Sequence, residues 1–327
     1  MTANHAPTNQ ELLNLYRQMA LIRGIEERLR DDNAAGKLPG GVHLYIGQEA
    51  VAAGVCAHLT DRDYITSTHR GHGHFLAKGG DPRAMMAEVW GKREGICHGM
   101  GGSMHVADVA RGILGANGIV GAGLAIATGA ALAAQLDGDG KVAVCFFGDG
   151  AAHQGVVMEC MNIASVWRLP MLFLCENNRY SEFTPSSQIT AGKLGDRARA
   201  AAIPATEVDG NDVSAVWRAA GDAIERARQG EGPSFVEAHT YRIQGHLEAE
   251  ALFLQGQRYR EQEEIDAWKE KCPLIVTRSQ IIARGAGDES VLSKIDTEVA
   301  ELVHDAAAFA EAGTPADVDL PAQLMFT

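Results

Sequence analysis

The central stretch of the chain reads Val142-Ala143-Val144-Cys145-Phe146-Phe147-Gly148-Asp149-Gly150, an apolar run that leads into an acidic residue between two glycines. A continuous apolar run predicts a strand of a parallel sheet that is buried on both faces. A second apolar run at residues 171–175 ends in Glu176-Asn177-Asn178, and residues 152–167 between the two runs predict a helix. Because ligands of open α/β sheets bind beyond the carboxyl ends of the strands, both polar motifs fall on the functional edge.

The same alternation of strand and helix patterns extends in both directions from this centre. Further strands are predicted at residues 63–67 and 234–240, and helices at 9–33, 48–58, 125–134 and 215–228. This order predicts an α/β fold, a doubly wound parallel sheet with helices on both faces. We expect an N-terminal helical arm over residues 1–40, a central ligand-binding domain over 41–270 and a C-terminal helical extension over 271–327 that packs on it.

Composition narrows the class of protein. The chain has 327 residues, 46% of them hydrophobic, and a formal net charge of -13. The acidic balance argues against a nucleic-acid or anionic-membrane partner, because phosphate-rich surfaces require basic patches. No stretch approaches the ~20 apolar residues of a membrane span. The six cysteines form no C-x-x-C pair, and we interpret them as buried reduced thiols. These features predict a cytoplasmic location.

The polar motifs at the two strand ends carry the chemistry. Asp149 and Asn178 offer oxygen ligands of the kind that Mg²⁺ prefers together with substrate phosphates. Glycines allow close approach of a phosphate, and the following helix offers free N–H groups. The alternative is that both motifs only make turns. A second copy, Gly138-Asp139-Gly140, precedes the strand and has no Asn-Asn partner, so we interpret that copy as a turn. The sequence predicts a magnesium–diphosphate site at Asp149.

The longer pattern resembles a known family. Phe147-Gly148-Asp149-Gly150-Ala151-Ala152-His153-Gln154-Gly155, then Leu169-Pro170, then Glu176-Asn177-Asn178-Arg179-Tyr180 is similar to the alpha subunits of heteromeric thiamine-diphosphate-dependent dehydrogenases, from about Leu13 to Trp268. The resemblance covers the 2-oxo acid and acetoin dehydrogenases and is closest to acetoin dehydrogenase. It implies an oxidoreductase with thiamine diphosphate and Mg²⁺ as cofactors, bound by the 41–270 domain.

The resemblance also implies roles for individual residues. The metal ligands would be Asp149, Asn178 and the carbonyl of Tyr180. N–H groups of Gly150 and Ala151 would face the diphosphate, and Gly118 and Val120 would contact the aminopyrimidine ring. Guanidinium groups bind phosphate oxygens in bidentate fashion, and both Arg70 and Arg242 match diphosphate-binding positions of the family. His69 and His246 would be diphosphate or active-site contacts, and His43 and His72 would line the entrance.

Alternative chemistries fit less well. The histidines around Arg70 have chelating spacings, but no Cys or carboxylate nearby completes a tetrahedral zinc set. The chain has neither a G-x-G-x-x-G nor a P-loop motif, which argues against nicotinamide and nucleotide-triphosphate enzymes.

The resemblance implies an incomplete site in this chain alone. Only one motif-bearing sheet is predicted, and in the family a beta subunit supplies the glutamate that contacts the pyrimidine ring, in an α₂β₂ heterotetramer. The small-residue helix at 125–134 and the glycine-rich segment at 95–123 would form the interface. A lipoyl-bearing acyltransferase would receive the acyl group.

The substrate is the least constrained prediction. The pattern Thr68-His69-Arg70 resembles acetoin dehydrogenases more than pyruvate enzymes, in which an aromatic residue usually precedes the arginine. The resemblance thus implies acetoin or a similar ketone, with pyruvate or a branched-chain 2-oxo acid as the alternative. A non-catalytic cofactor-binding assembly subunit is the alternative from another class. The chain departs from the family after His246, where residues 247–258 bring an apolar Leu252-Phe253-Leu254 that we expect to reshape the substrate pocket.

Overall fold

The computed structural model describes residues 6–325 and confirms the α/β class. Five parallel strands form the main sheet in the order β1-β2-β3-β7-β6, and two short strands pair separately as an antiparallel hairpin. The strands are β1 (Tyr64–Thr66), β2 (Ala143–Gly148), β3 (Met171–Asn177), β4 (Tyr180–Ser181), β5 (Thr184–Pro185), β6 (Ala205–Asp209) and β7 (Ser234–His239).

Helices occupy most of the remaining chain. They are α1 (Asn9–Ala34), α2 (Glu49–Cys56), α3 (Gly71–Ala77), α4 (Pro82–Val89), α5 (Ala122–Asp137), α6 (Gly155–Trp167), α7 (Ser186–Ile189), α8 (Leu194–Ala200), α9 (Val213–Arg228), α10 (Glu250–Leu254), α11 (Gln262–Lys269), α12 (Pro273–Arg284), α13 (Glu289–Ala312) and α14 (Leu320–Leu324). Among the residues described, no helix combines the length and the apolar content needed to cross a bilayer.

Apolar side chains cover both faces of the sheet, as the continuous apolar strands predict. Val144 and Phe146 of β2 point into a core that includes residues of α2 and α9. Their neighbours Cys145 and Phe147 point the other way, into a core shared with α5, α6 and α8. Since successive strand residues face opposite sides, each strand supplies both cores. The sheet is therefore doubly wound, with helices on both faces.

A third apolar cluster lies outside the sheet layers. Helix α1 packs there against α12 and α13 through side chains such as Leu12, Met19, Ile281 and Leu292. This contact joins the N-terminal arm to the C-terminal extension. The division at residues 40 and 270 stays a prediction, and residues 1–5 and 326–327 of the two outer segments lie outside the described residues.

Several predicted elements differ from the structure in detail. The His-rich segment after β1, for which no helix was predicted, forms α3 from Gly71 onward. The helix predicted from residue 152 begins at Gly155, because Gln154 is extended and separates α6 from a 3₁₀ turn at Ala151–His153. Strand β6 was not predicted. It is an edge strand with one neighbour and exposed side chains, so it has no continuous apolar run. The cysteines are free, five of them buried and Cys97 half-buried.

Candidate active site

The two motif-bearing strands end side by side. Gly148 of β2 pairs with Glu176 of β3 in parallel register. Asp149 follows the first strand directly, and Asn178 follows the second. Directly after Asn178, Arg179 has a φ of 74°, and this left-handed turn directs the chain into the β4–β5 hairpin. The sheet edge thus brings together the two side chains that the sequence predicts as metal ligands.

Asp149 is buried and only half satisfied. Its side chain is 1% exposed, and its Oδ2 accepts a hydrogen bond from the Ser186 hydroxyl of α7. Its Oδ1 has no hydrogen-bond partner in the described part of the chain. Burial raises the pKa of the Asp149 carboxyl, because the charged form loses its hydration. A cation bound at the free oxygen would offset that cost, so the carboxylate fits a metal ligand.

The backbone beside Asp149 is shaped for a close ligand. A Cβ added at Gly150 would lie 2.5 Å from the Ser181 hydroxyl oxygen and 3.0 Å from its Cβ, so Gly150 packs closely against the hairpin and a larger residue would have to displace the Ser181 side chain. Within residues 6–325 the N–H groups of Gly150 and Ala151 donate to no other residue. Such free N–H groups at the start of a helical turn suit an anionic oxygen.

Asn178 has a defined orientation. Its side chain is 8% exposed, and its Nδ2 donates to the Oε1 of Gln48 at 3.1 Å. Its Oδ1 is 3.4 Å from the backbone nitrogen of Tyr180, at the long limit of a hydrogen bond. The oxygen therefore remains the freer end of the amide. The prediction that the Tyr180 carbonyl is a further ligand stays a prediction.

Two buried arginines provide the positive charge of the site. Arg70 and Arg242 are 3% and 2% exposed, and neither pairs with a carboxylate among the described residues. Their guanidinium nitrogens lie 3.1 and 2.9 Å from Nδ1 of His246. Burial and the charge of Arg242 lower the pKa of Arg70 to about 9. Two desolvated cations this close together favour an anion with more than one charge, such as a diphosphate.

Three histidine rings stand beside the arginines. His43, His69 and His246 have ring centroids 4.8 to 5.5 Å apart. Burial and then the Arg70 charge lower the pKa of His43 to about 3 and that of His246 to about 2. The same causes depress the pKa of His69. All three rings are thus neutral near pH 7, and each can donate one N–H to an anion.

The three histidines are close enough to hold a metal ion, with ligand atoms within 4.8 Å of one another. The arginines argue against that use, because a divalent cation would face two guanidinium groups within hydrogen-bond distance of His246. His43 Nδ1 and His69 Nε2 are buried without partners in the described chain. An anion satisfies both the arginines and these nitrogens, so the cluster fits an anion site.

His72 requires a correction. The sequence placed it at the entrance, but its side chain is fully buried and does not line the cavity. Its Nδ1 is 3.2 Å from the Glu26 carboxylate and its Nε2 is 3.0 Å from the Ser103 hydroxyl. The reason is the start of α3 at Gly71, which turns His72 toward α1. The residue supports the wall of the site and does not contact a ligand in it.

The other predicted residues come together in one cavity. It is lined by the side chains or backbone of His43, His69, Arg70, Gly118, Val120, Asp149, Gly150, Ala151, Asn178, Tyr180, Arg242 and His246. These positions are spread over more than 200 residues of sequence, yet they surround one space. The placement agrees with the predicted site, although the role of each residue stays a prediction.

Several polar residues in or beside this cavity were not predicted from the sequence. Glu176 is buried, accepts a hydrogen bond from the Tyr45 hydroxyl and lies 3.2 Å from His74 Nε2. Gln48 and Ser186 bond directly to two of the predicted metal ligands, Asn178 and Asp149. The position of Glu176 at a strand end was an available signal. No local pattern marks Gln48 or Ser186, because each meets its partner through tertiary packing.

The unusual segment after His246 also differs from expectation. Leu252 and Phe253 of α10 are 79% and 65% exposed and do not line the cavity. The expectation that they reshape the substrate pocket is therefore wrong for this conformation, since α10 directs them outward. The residue of α10 that contacts the site is Glu250. Its carboxylate accepts hydrogen bonds from the backbone N–H of His246 at 2.5 Å and from the Tyr259 hydroxyl at 3.1 Å.

The comparisons with known proteins define the class. Residues 17–318 match the family model described as "Dehydrogenase E1 component", and the chain belongs to that family. It is an oxidoreductase subunit of the kind that depends on thiamine diphosphate, and its similarity to alpha subunits implies a beta subunit as partner. The resemblance stated from the sequence is confirmed.

The individual relatives are alpha subunits. The chain is 48% identical over 306 residues to the alpha subunit of acetoin:2,6-dichlorophenolindophenol oxidoreductase from Bacillus subtilis, covering 93% of this chain and 90% of that protein. The corresponding subunit from Cupriavidus necator is 47% identical, with 94% and 91% covered. The pyruvate dehydrogenase E1 component subunit alpha of Zymomonas mobilis is 41% identical, with 95% and 87% covered.

Proposed function

We propose that this chain is the alpha subunit of a dehydrogenase that cleaves acetoin or a similar ketone oxidatively and transfers the acyl group to a lipoyl group. Its share of the active site would hold the Mg²⁺ and the diphosphate of thiamine diphosphate. The observation that carries the proposal is the pairing of an unsatisfied buried carboxylate oxygen on Asp149 with two buried arginines that lack acidic partners.

The residues fit a magnesium–diphosphate group. Asp149 Oδ1 and the Asn178 amide oxygen are hard oxygen donors at adjacent strand ends, which suits Mg²⁺. Gly150 and Ala151 offer backbone N–H groups that have no acceptor within residues 6–325. Arg70 and Arg242 offer several N–H donors in planar groups, which match phosphate oxygens. Each of these features serves one half of the cofactor, the charged end.

The mechanism divides between the cofactor and the protein. When bound, thiamine diphosphate supplies the nucleophilic carbon and stabilises the negative charge that develops beside the carbonyl of the substrate. Arg70 and Arg242 would hold the diphosphate and fix its position. His43, His69 and His246, neutral near pH 7, would donate N–H groups to the diphosphate or to the substrate oxygen and move protons there.

A partner subunit would complete the site. The described chain contains one such sheet, so the glutamate on the pyrimidine ring would come from a beta subunit, in an α₂β₂ heterotetramer. Exposed apolar side chains on α5 and α6 support an interface there, since Ile126, Met158, Val166 and Trp167 are 41% to 69% exposed. Further partners would be a lipoyl-bearing acyltransferase and a small ketone. The cytoplasmic location stays a prediction.

Acetoin is the preferred substrate because the two relatives with 48% and 47% identity act, by their names, on acetoin. The relative with 41% identity is a pyruvate dehydrogenase subunit, so pyruvate and branched-chain 2-oxo acids are the alternatives. The Thr68-His69-Arg70 pattern of the sequence favours the first assignment.

The test is reconstitution of the chain with its beta subunit, followed by assay with acetoin, pyruvate and a branched-chain 2-oxo acid, with 2,6-dichlorophenolindophenol as electron acceptor. We expect thiamine-dependent activity that is highest with acetoin. Asp149→Ala should abolish it. Asp139→Ala is the matched control, since it removes the aspartate of the other Gly-Asp-Gly copy, which forms surface ion pairs with Arg62 and Lys141.

Three results would contradict the proposal in different ways. Activity that is highest with a 2-oxo acid would show that the substrate is a 2-oxo acid and not acetoin. Cofactor binding without turnover of any substrate would favour the assembly-subunit alternative. Full activity of Asp149→Ala would show that the magnesium–diphosphate site does not lie at this edge of the sheet.

A further inference from the structure

Gln48 lines the cavity, and only one of the two polar atoms of its side-chain amide has a hydrogen-bond partner among the described residues. Its side chain is fully buried and lines the same space as Asp149. Its Oε1 accepts the Nδ2 hydrogen bond of Asn178 at 3.1 Å. Its Nε2 has no partner among the described residues. An unpaired buried amide N–H costs about 1 to 3 kcal/mol, so such a group at a binding site is typically satisfied by the ligand.

The backbone holds this side chain in place. Gln48 precedes α2, and its N–H donates to the Tyr45 carbonyl at 3.1 Å. The preceding Gly47 has a φ of 104°, and a Cβ there would overlap the carbonyl oxygen of Tyr241. The Gly47 N–H donates to the Glu49 carboxylate at 3.0 Å. These contacts pack the backbone at Gly47 against Tyr241, the residue before Arg242, and so fix the position of the Gln48 backbone beside the cavity.

The contact decides which end of Asn178 faces a cation. An asparagine amide has one oxygen and one nitrogen, and only the oxygen is a ligand for a hard metal ion. Because Nδ2 is already bonded to Gln48, Oδ1 is the end left for the ion. Hydrogen bonds from a neighbouring side chain to a metal ligand orient that ligand in many proteins.

We propose that Gln48 is a positioning residue that orients the Asn178 amide for Mg²⁺ and donates its free Nε2 hydrogen to an oxygen of the bound diphosphate. This inference rests on the proposed function, because it assigns a role toward the same metal and cofactor. Gln48 would therefore affect two separable quantities, the Mg²⁺ requirement through its oxygen and the affinity for diphosphate through its nitrogen.

The test is a calorimetric titration of thiamine diphosphate into the full chain co-purified with its beta subunit, repeated over a range of Mg²⁺ concentrations. Gln48→Leu, which loses both groups, should raise the Mg²⁺ concentration for half-maximal binding by about 10- to 100-fold. Gln48→Glu keeps an acceptor for Asn178 but has no N–H to donate. It should change the Mg²⁺ requirement less than about threefold and weaken thiamine diphosphate binding at saturating Mg²⁺ by about tenfold or more.

Gln280→Leu is the control for a purely structural effect. Gln280 bonds Ser214 and Asp212 between α12 and α9, outside the cavity. Its loss should lower stability and leave the Mg²⁺ requirement unchanged. The proposal would be overturned if the Mg²⁺ concentration for half-maximal binding in Gln48→Leu lay within twofold of that of the unsubstituted chain. Unchanged thiamine diphosphate affinity in Gln48→Glu would also overturn it. Cofactor binding by the unsubstituted chain that needs no Mg²⁺ would overturn the metal site itself, and no binding at all would overturn the proposed function.

Discussion

Glu88 is a buried carboxylate that organises the glycine-rich segment beside the active site. It lies in α4 and is fully buried. Its Oε2 accepts the backbone N–H groups of Cys97 and Gly99, each at 2.8 Å. Its Oε1 accepts those of Gly101 and Gly102 at 2.6 and 3.0 Å. The segment continues to Met104, which lines the cavity, so we expect Glu88→Gln to destabilise both the fold and this wall.

The geometry gives the magnitude. Each oxygen of Glu88 receives two N–H groups, so a glutamine in either orientation turns an NH₂ group toward two backbone donors. Two charge-assisted hydrogen bonds are then lost, and each contributes about 1.5 to 3 kcal/mol. We expect a loss of about 3 to 6 kcal/mol in the free energy of unfolding. The loss should be large because the Glu88 side chain is fully buried, so each lost contact leaves a polar group beside an uncharged one away from solvent.

The assay is urea unfolding of the full chain, followed by tryptophan fluorescence, with Trp90 two residues from the substitution. Glu94→Gln is the matched control, since its carboxylate caps the Thr314 N–H at 2.9 Å on the exposed surface. We expect less than about 1 kcal/mol for that variant. A Glu88→Gln loss below about 1 kcal/mol would refute the reasoning, because the four contacts would then have no energetic weight.

Three further predictions follow from buried groups. Because folding depresses the pKa of His43 from 6.5 to about 3, the unfolded chain binds more protons than the folded chain between these two values; the free energy of unfolding should therefore decrease as the pH is lowered, by at most about 1.4 kcal/mol per unit for this residue. Urea titrations between pH 7 and 5 should show a shallower slope for His43→Gln. Gly73→Ala should lower the free energy of unfolding by about 1 to 3 kcal/mol, because the added Cβ would overlap the Tyr45 ring. The control is Gly129→Ala in α5, whose added Cβ meets open space and should not destabilise the chain in the same denaturation assay. Arg242→Gln should weaken thiamine diphosphate binding by tenfold or more, measured by calorimetry, and an affinity within twofold of the unsubstituted chain would contradict its assignment.

Much of the fold was predictable because its signals are local. The apolar runs of β2 and β3 define a sheet buried on both faces, and the polar residues after them must meet where parallel strands end. That argument placed Asp149 beside Asn178 correctly without any knowledge of distant contacts. Strand β6 escaped prediction because an edge strand with exposed side chains carries no continuous apolar run.

The remaining site features depend on contacts between distant segments. Gln48 meets Asn178 across 130 residues, and Ser186 reaches Asp149 through the β4–β5 hairpin. His72 shows the opposite error, since the family resemblance implied a place at the entrance while the first turn of α3 directs its side chain to Glu26. Sequence patterns identified the chemical groups, and packing determined which of them face the ligand.

The most direct measurement is a crystal structure of the chain with its beta subunit, thiamine diphosphate and Mn²⁺ in place of Mg²⁺, with anomalous scattering used to locate the metal. The predicted result is one anomalous peak at about 2 Å from Asp149 Oδ1 and from the Asn178 amide oxygen, with the diphosphate against Arg70 and Arg242. A peak within the His43–His69–His246 cluster, or a diphosphate that contacts neither arginine, would contradict the account.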